Sequence, residues 1–118
     1  MKCYCCSGKD YDKCCKPFLE KLSYPKTPLQ LMRSRYSAFV SLNFSYLEES
    51  AINQKFDNDE INWAKSIKWE KLKIIKAKKN IVEFKAYYSK DDKKYILHEK
   101  SSFINKNGKW LYSHGKII

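Results

Sequence analysis

Glycine is scarce in this sequence, occurring three times in 118 residues at positions 8, 108 and 115. Without a glycine run, no loop can wrap consecutive backbone N–H groups round a phosphate, so phosphate-cradling loops are excluded. Long apolar runs are missing too: Ala38-Phe39-Val40 and Ile96-Leu97 are typical of what there is. Neither a membrane-spanning helix nor a signal-peptide core is present, and the chain is read as cytoplasmic with no membrane insertion. Arginine is limited to Arg33 and Arg35, although Lys and Arg together number 24 and the formal net charge is +11. Cysteine is absent from every position after Cys15. No nucleophile–base motif is visible, so an enzyme is the less favoured class.

What is present suits one small folded domain, since 43% of residues are apolar and 15% aromatic. The charge is nearly all lysine, spread from Lys2 to Lys116. Lysine is a strongly hydrated point charge without the planar fork that grips phosphate, and the plainer reading is a solvated surface. Direct nucleic-acid binding is the lesser alternative, and it requires one contiguous basic face.

The five cysteines, Cys3, Cys5, Cys6, Cys14 and Cys15, all lie in the first fifteen residues. A disulfide scaffold would favour an even count, and adjacent Cys14 and Cys15 cannot easily bridge each other. Two close pairs flanking an eight-residue loop can instead converge on one Zn²⁺. Cys3, Cys5, Cys14 and Cys15 are therefore the expected ligands, with Cys6 a competing thiol. Such a four-ligand site has no open position, so its role is structural, and the metal supplies folding free energy on the order of 10 kcal/mol to a segment with almost no core of its own.

Residues 3–15, Cys-Tyr-Cys-Cys-Ser-Gly-Lys-Asp-Tyr-Asp-Lys-Cys-Cys, resemble the SEC-C zinc motif, Cys-x-Cys-x-Ser-Gly-x-x-Tyr followed by Cys-Cys or Cys-His. Pro17-Phe18-Leu19, Thr27 to Phe39, Trp69, Val82-Glu83-Phe84, His98 to Phe103 and Gly108 to Tyr112 resemble the YchJ family, also called UPF0225, in which that motif precedes an NTF2-like domain. The resemblance implies a zinc-binding motif over 1–22 and an NTF2-like domain over 23–118. Family members usually carry Pro and Gly where this chain has Tyr4 and Cys6, and the motif spacing favours Cys5 over Cys6 as ligand. In SEC-C proteins such as the secretion ATPase SecA, the motif is associated with binding other proteins, including the chaperone SecB, and ribosomes. By that resemblance the chain is a non-catalytic interaction module docking on a protein or ribosomal partner, with Lys9, Lys13 and Lys16 as candidate contacts.

The pattern along the chain leads to the same fold class. Thr27, Pro28 and Gln30 form a helix start with a capping box, after which Leu29, Met32, Tyr36, Phe39 and Val40 recur at helical spacing on one apolar face. Phe44 to Ala51 predicts a second helix, and Asp57-Asn58-Asp59 caps a third. From Trp69 the period becomes two, with turns at Ser89 to Asp92 and Asn105 to Gly108. Helices followed by an antiparallel meander predict an α+β fold, a curved sheet packed on N-terminal helices behind a small zinc knuckle.

On the strand from Tyr95 to Ile104, Leu97, Glu99, Ser101 and Phe103 share the face toward the helices, while His98 faces the other way. A buried carboxylate needs a partner, so Glu99 is expected to pair with Arg33 or Arg35. That pair either fixes helix on sheet or, with Tyr36, His98 and Trp110, lines a small-ligand or enzymatic pocket in the cone. NTF2-like proteins, by resemblance, often bind small molecules there and frequently dimerise through the outer sheet face, so the chain is expected to be a monomer or homodimer.

Overall fold

A computed structural model describes all residues 1–118. A one-turn 3₁₀ segment, Tyr11–Lys13, and helix α1, Lys16–Leu19, follow the cysteine loop. Helices α2, Pro28–Val40, α3, Phe44–Glu49, and α4, Asn58–Ser66, precede strands β1, Lys68–Lys78, β2, Ile81–Lys90, β3, Lys93–Lys106, and β4, Lys109–Ile117. The strands form one antiparallel sheet in the order β1-β2-β3-β4. The α+β architecture expected from the sequence is therefore present. No helix is long and apolar enough to cross a membrane.

Local chemistry sets most boundaries. Thr27 caps α2 by accepting from the Gln30 N–H at 3.1 Å. The return half of the expected capping box is displaced by one residue, because the Gln30 side chain accepts from the Lys26 N–H at 2.8 Å. Asp57 and Glu60 complete a reciprocal box at the start of α4. Of the three two-residue hairpins, Asp91-Asp92 and Asn107-Gly108 have positive φ at both positions, which suits the right-handed strand twist, and Lys79-Asn80 has it at Lys79.

Helix α2 was expected to bury one face; it buries nearly its whole circumference. Met32 and Tyr36 pack toward the sheet core formed by Leu72, Val82, Phe84, Ala86 and Phe103. Leu31 and Ala38 are fully buried in the same cluster, which also takes in Leu47 and Tyr46 of α3 and the knuckle residues Cys3, Cys5, Cys15 and Leu19. Each large side chain so buried contributes about 2 kcal/mol of transfer free energy. Behind α3, residues 50–52 pair with the edge of the sheet, Tyr112 donating to the Ser50 carbonyl and Ile52 to the Tyr112 carbonyl.

Candidate metal centre and sheet cavity

The N-terminal segment doubles back on itself. Lys2 and Asp10 form a bridge, Cys3 donates to the Lys9 carbonyl at 2.8 Å, and Tyr11 donates to the Met1 carbonyl at 2.9 Å. Cys6 and Gly8 turn the chain with φ of 64° and 85°. Arg33 of α2 reaches across to donate to the Cys5 carbonyl at 2.6 Å, so the loop is anchored on the central helix.

This fold brings the sulfurs of Cys3, Cys5, Cys14 and Cys15 within 4.8 Å of one another. Cys5 and Cys14 are 3.6 Å apart and Cys14 and Cys15 4.0 Å. A tetrahedral ion with metal–sulfur bonds of about 2.3 Å requires sulfur–sulfur edges of about 3.8 Å, so the donor set fits one. Cys3, Cys5 and Cys15 are buried and Cys14 half-buried. A hydrogen bond from Cys15 holds the Cys5 thiol down at about 4, the same bond pushes Cys15 up, and burial pushes Cys14 up. Four convergent sulfurs are what a divalent cation cross-links as it takes the place of their protons. Cys6 stands apart: its sulfur is 3.4 Å from the Leu72 N–H and exposed. Among the lysines expected to make partner contacts, Lys9 and Lys13 are exposed, while Lys16 lies 3.6 Å from Asp12.

Between α2 and the sheet lies a cavity of about 210 Å³, lined mainly by apolar residues. Arg35, Tyr36 and Glu99 border it as the sequence predicted, together with Trp69, Gln54 and Tyr112. The expected ion pair is not formed. Arg33 is engaged by Cys5, and Arg35 donates to the Leu47 carbonyl, the Ser50 hydroxyl and the Gln54 side chain. The reason is the buried end of α3, whose last carbonyls have no helical donors; a guanidinium supplies several at once. Burial lowers Arg35 to about 10, and it stays charged at neutral pH. Glu99 instead accepts from Ser101 at 2.6 Å and lies over Gly115, where a Cβ would run into the carboxylate. Trp110 also departs from the expectation. It shares the inward face of β4 with Tyr112 but lies two residues further along the strand, past the end of the cavity, beside Phe18, Tyr24 and Lys109 in a separate recess. His98 faces away from Glu99 and meets Glu83 at 2.7 Å. Sequence reasoning missed Trp69, whose indole N–H is buried without an acceptor.

The profile described as YchJ, middle NTF2-like domain, matches residues 27–115. A UPF0225 protein of Actinobacillus succinogenes is 34% identical over 120 residues, covering 93% of this chain and 78% of the relative. One from Vibrio parahaemolyticus is also 34% identical, covering 96% and 73%. Among solved structures, a SEC-C motif-containing protein from Rhodopseudomonas palustris superposes with a TM-score of 0.89 at 32% identity, covering 100% of this chain and 99% of that one. Another, from Psychrobacter arcticus, gives 0.74 at 26% identity, covering 95% and 75%.

Proposed function

Because the chain belongs to the YchJ family, also called UPF0225, and its four SEC-C cysteines close into one cluster, we propose that it is a zinc-stabilised, non-catalytic interaction module docking on a protein or ribosomal partner. The observation that carries this reading is the seating of the cluster. Cys3, Cys5 and Cys15 are buried in the same core as α2 and α3, so an ion held by all four sulfurs has no position left for a substrate and acts on architecture. When bound, Zn²⁺ would supply charge neutralisation and cross-linking of the doubled-back loop. The chain's own residues do the rest: Arg33 fixes the loop on α2, and Ser7 lies 3.2 Å from the Cys14 sulfur. The exposed rim carrying Lys9 and Lys13 is the surface such a rigid loop presents.

The test is affinity capture from native cytosol with the intact protein and with Cys14→Ser, alongside metal analysis. About one zinc per chain in the intact protein, lost together with a specific set of partners in the variant, is the expected result. Recovery of the same partners by both proteins overturns the docking role.

A second reading is favoured by Trp69. A mainly apolar cavity bordered by Trp69, whose indole N–H has no acceptor in the protein, and by the Arg35 side chain suits a small, mostly apolar molecule carrying an acceptor atom. Titration with small aromatic acids or amides, followed by the Trp69 indole NMR resonance, tests it. No shift for any of them removes the ligand reading.

A further inference from the structure

The lysines that look scattered along the chain are gathered by the sheet. In β1, Lys71, Lys73, Lys76 and Lys78 pair with Tyr87, Lys85, Glu83 and Ile81 of β2, on the face opposite the inward row of Val82, Phe84 and Ala86. The same face continues into β3, where Lys85 is opposite His98 and Glu83 opposite Lys100, and into β4, where Lys100 is opposite Lys116. Lys94, opposite Ser89, adds an eighth lysine. Two glutamates, Glu70 and Glu83, accompany them, and both are engaged, by Lys94 at 2.7 Å and by His98 at 2.7 Å. Of the eight lysines only Lys94 has a carboxylate within ion-pair distance. More than half of the chain's excess positive charge therefore stands on the outer face of one sheet.

A merely solvated surface would not favour this arrangement. Lys73 and Lys85 are directly opposed, as are Lys100 and Lys116, and like charges at such positions destabilise a sheet. The face also resists a second copy of itself, since a homodimer through it would set lysines against lysines; the dimer mode expected by resemblance is disfavoured here. Neighbouring strands are about 4.8 Å apart and same-face residues about 7 Å apart along a strand, so the ammonium groups form a two-dimensional lattice of point charges. That lattice suits a flexible polyanion. No arginine is present to read base edges, and the one aromatic on the face, Tyr87, has the Lys71 ammonium 4.6 Å above its ring.

We propose that the outer sheet face, centred on Lys73, Lys85 and Lys100, binds the phosphate backbone of single-stranded RNA without sequence preference. The choice of RNA among polyanions rests on charge complementarity, because a flexible strand with one phosphate on every nucleotide can meet these closely spaced, unpaired ammonium groups in succession; the site lies on the sheet and is independent of the knuckle. The lysines displace counterions from successive phosphates, which makes the binding steeply salt-dependent.

The experiment is fluorescence anisotropy of a labelled 20-nucleotide oligouridine with the full chain over a series of KCl concentrations. Expected is binding whose log constant falls linearly with log salt. Replacing Lys73, Lys85 and Lys100 together by Gln weakens it at least about tenfold and lowers the slope by about 2, at roughly 0.7 for each phosphate no longer neutralised. Replacing Lys26, Lys55 and Lys65, exposed lysines outside the sheet, changes it less than about twofold. Cys14→Ser separates the two readings, since loss of captured partners with RNA binding retained leaves the sheet site standing. Absence of oligouridine binding overturns the proposal, as does equal weakening by both lysine triples. Tighter binding to phosphatidylglycerol vesicles or to polyglutamate than to oligouridine also overturns it, reassigning the face to a lipid surface or an acidic protein.

Discussion

Arg35 lays its guanidinium 4.6 Å above the ring of Tyr112 while its nitrogens bind the end of α3. Through this one side chain, α2 holds α3, the segment behind it and β4 together. Tyr112 in turn donates its backbone N–H to Ser50, whose hydroxyl Arg35 also grips. The contact is a cation over an aromatic face in a buried site, stronger than the same contact in water.

Replacing Arg35 by Met should cost about 2–4 kcal/mol, because it leaves the buried Leu47 carbonyl and the Gln54 side chain short of donors. Lys should rescue little, having a point charge in place of a fork. Glu99→Gln should cost less than about 1 kcal/mol, since no ion pair is lost and the Ser101 hydrogen bond survives. Urea unfolding of the three variants decides; equal losses for Arg35→Met and Glu99→Gln would restore the ion pair.

Cys6→Gly should stabilise the fold by about 1 kcal/mol. Cys6 occupies the left-handed region at φ 64°, where a β-carbon is costly and glycine is not. Metal content should be unchanged, because the Cys6 sulfur points to Leu72 and not into the four-sulfur cluster. Loss of metal in this variant would make Cys6 a ligand.

Chelation at neutral pH should loosen the knuckle before the sheet. Amides of Cys3 and Tyr11, which close the loop, should lose hydrogen-exchange protection first, while β2 and β3 keep theirs. Simultaneous exposure of both regions would show that loop and sheet unfold as one unit.

The alkaline limb of stability follows from the buried tyrosines. Burial pushes Tyr46 up to about 12 and raises Tyr36 and Tyr112 above the ordinary value near 10. The unfolded chain thus releases these protons first, so their stabilising contribution is complete below about pH 10 and is lost as pH rises through the folded values. Circular dichroism against pH should show unfolding beginning above about pH 10. Tyr46→Phe should flatten that limb, at a neutral-pH cost of about 1 kcal/mol for the 2.6 Å bond to Ser34.

Much of the scaffold was legible because its determinants are local. The period-two rows from Trp69, the positive-φ pairs Asp91-Asp92 and Asn107-Gly108, and the caps Thr27 and Asp57 each act over a few residues. The cysteine cluster was legible for the same reason, since a short doubled-back loop can bring its thiols together. Sequence alternation also put Glu99 on the cavity side and His98 on the other.

By itself, then, the sequence determined the elements, the meander and the four-sulfur set, all products of short-range sterics and spacing. Tertiary structure alone decided the partners. Arg35 left Glu99 for the Leu47 carbonyl and Ser50 because folding buried a helix end that needed donors, and Trp110 falls outside the cavity because α2 and the sheet close over only the stretch of β4 that carries Tyr112. The lysine face was decided in the same way. Residues from four strands share a surface only once bulges in β1 and the pairing register set which side each one takes, and no stretch of sequence carries that information.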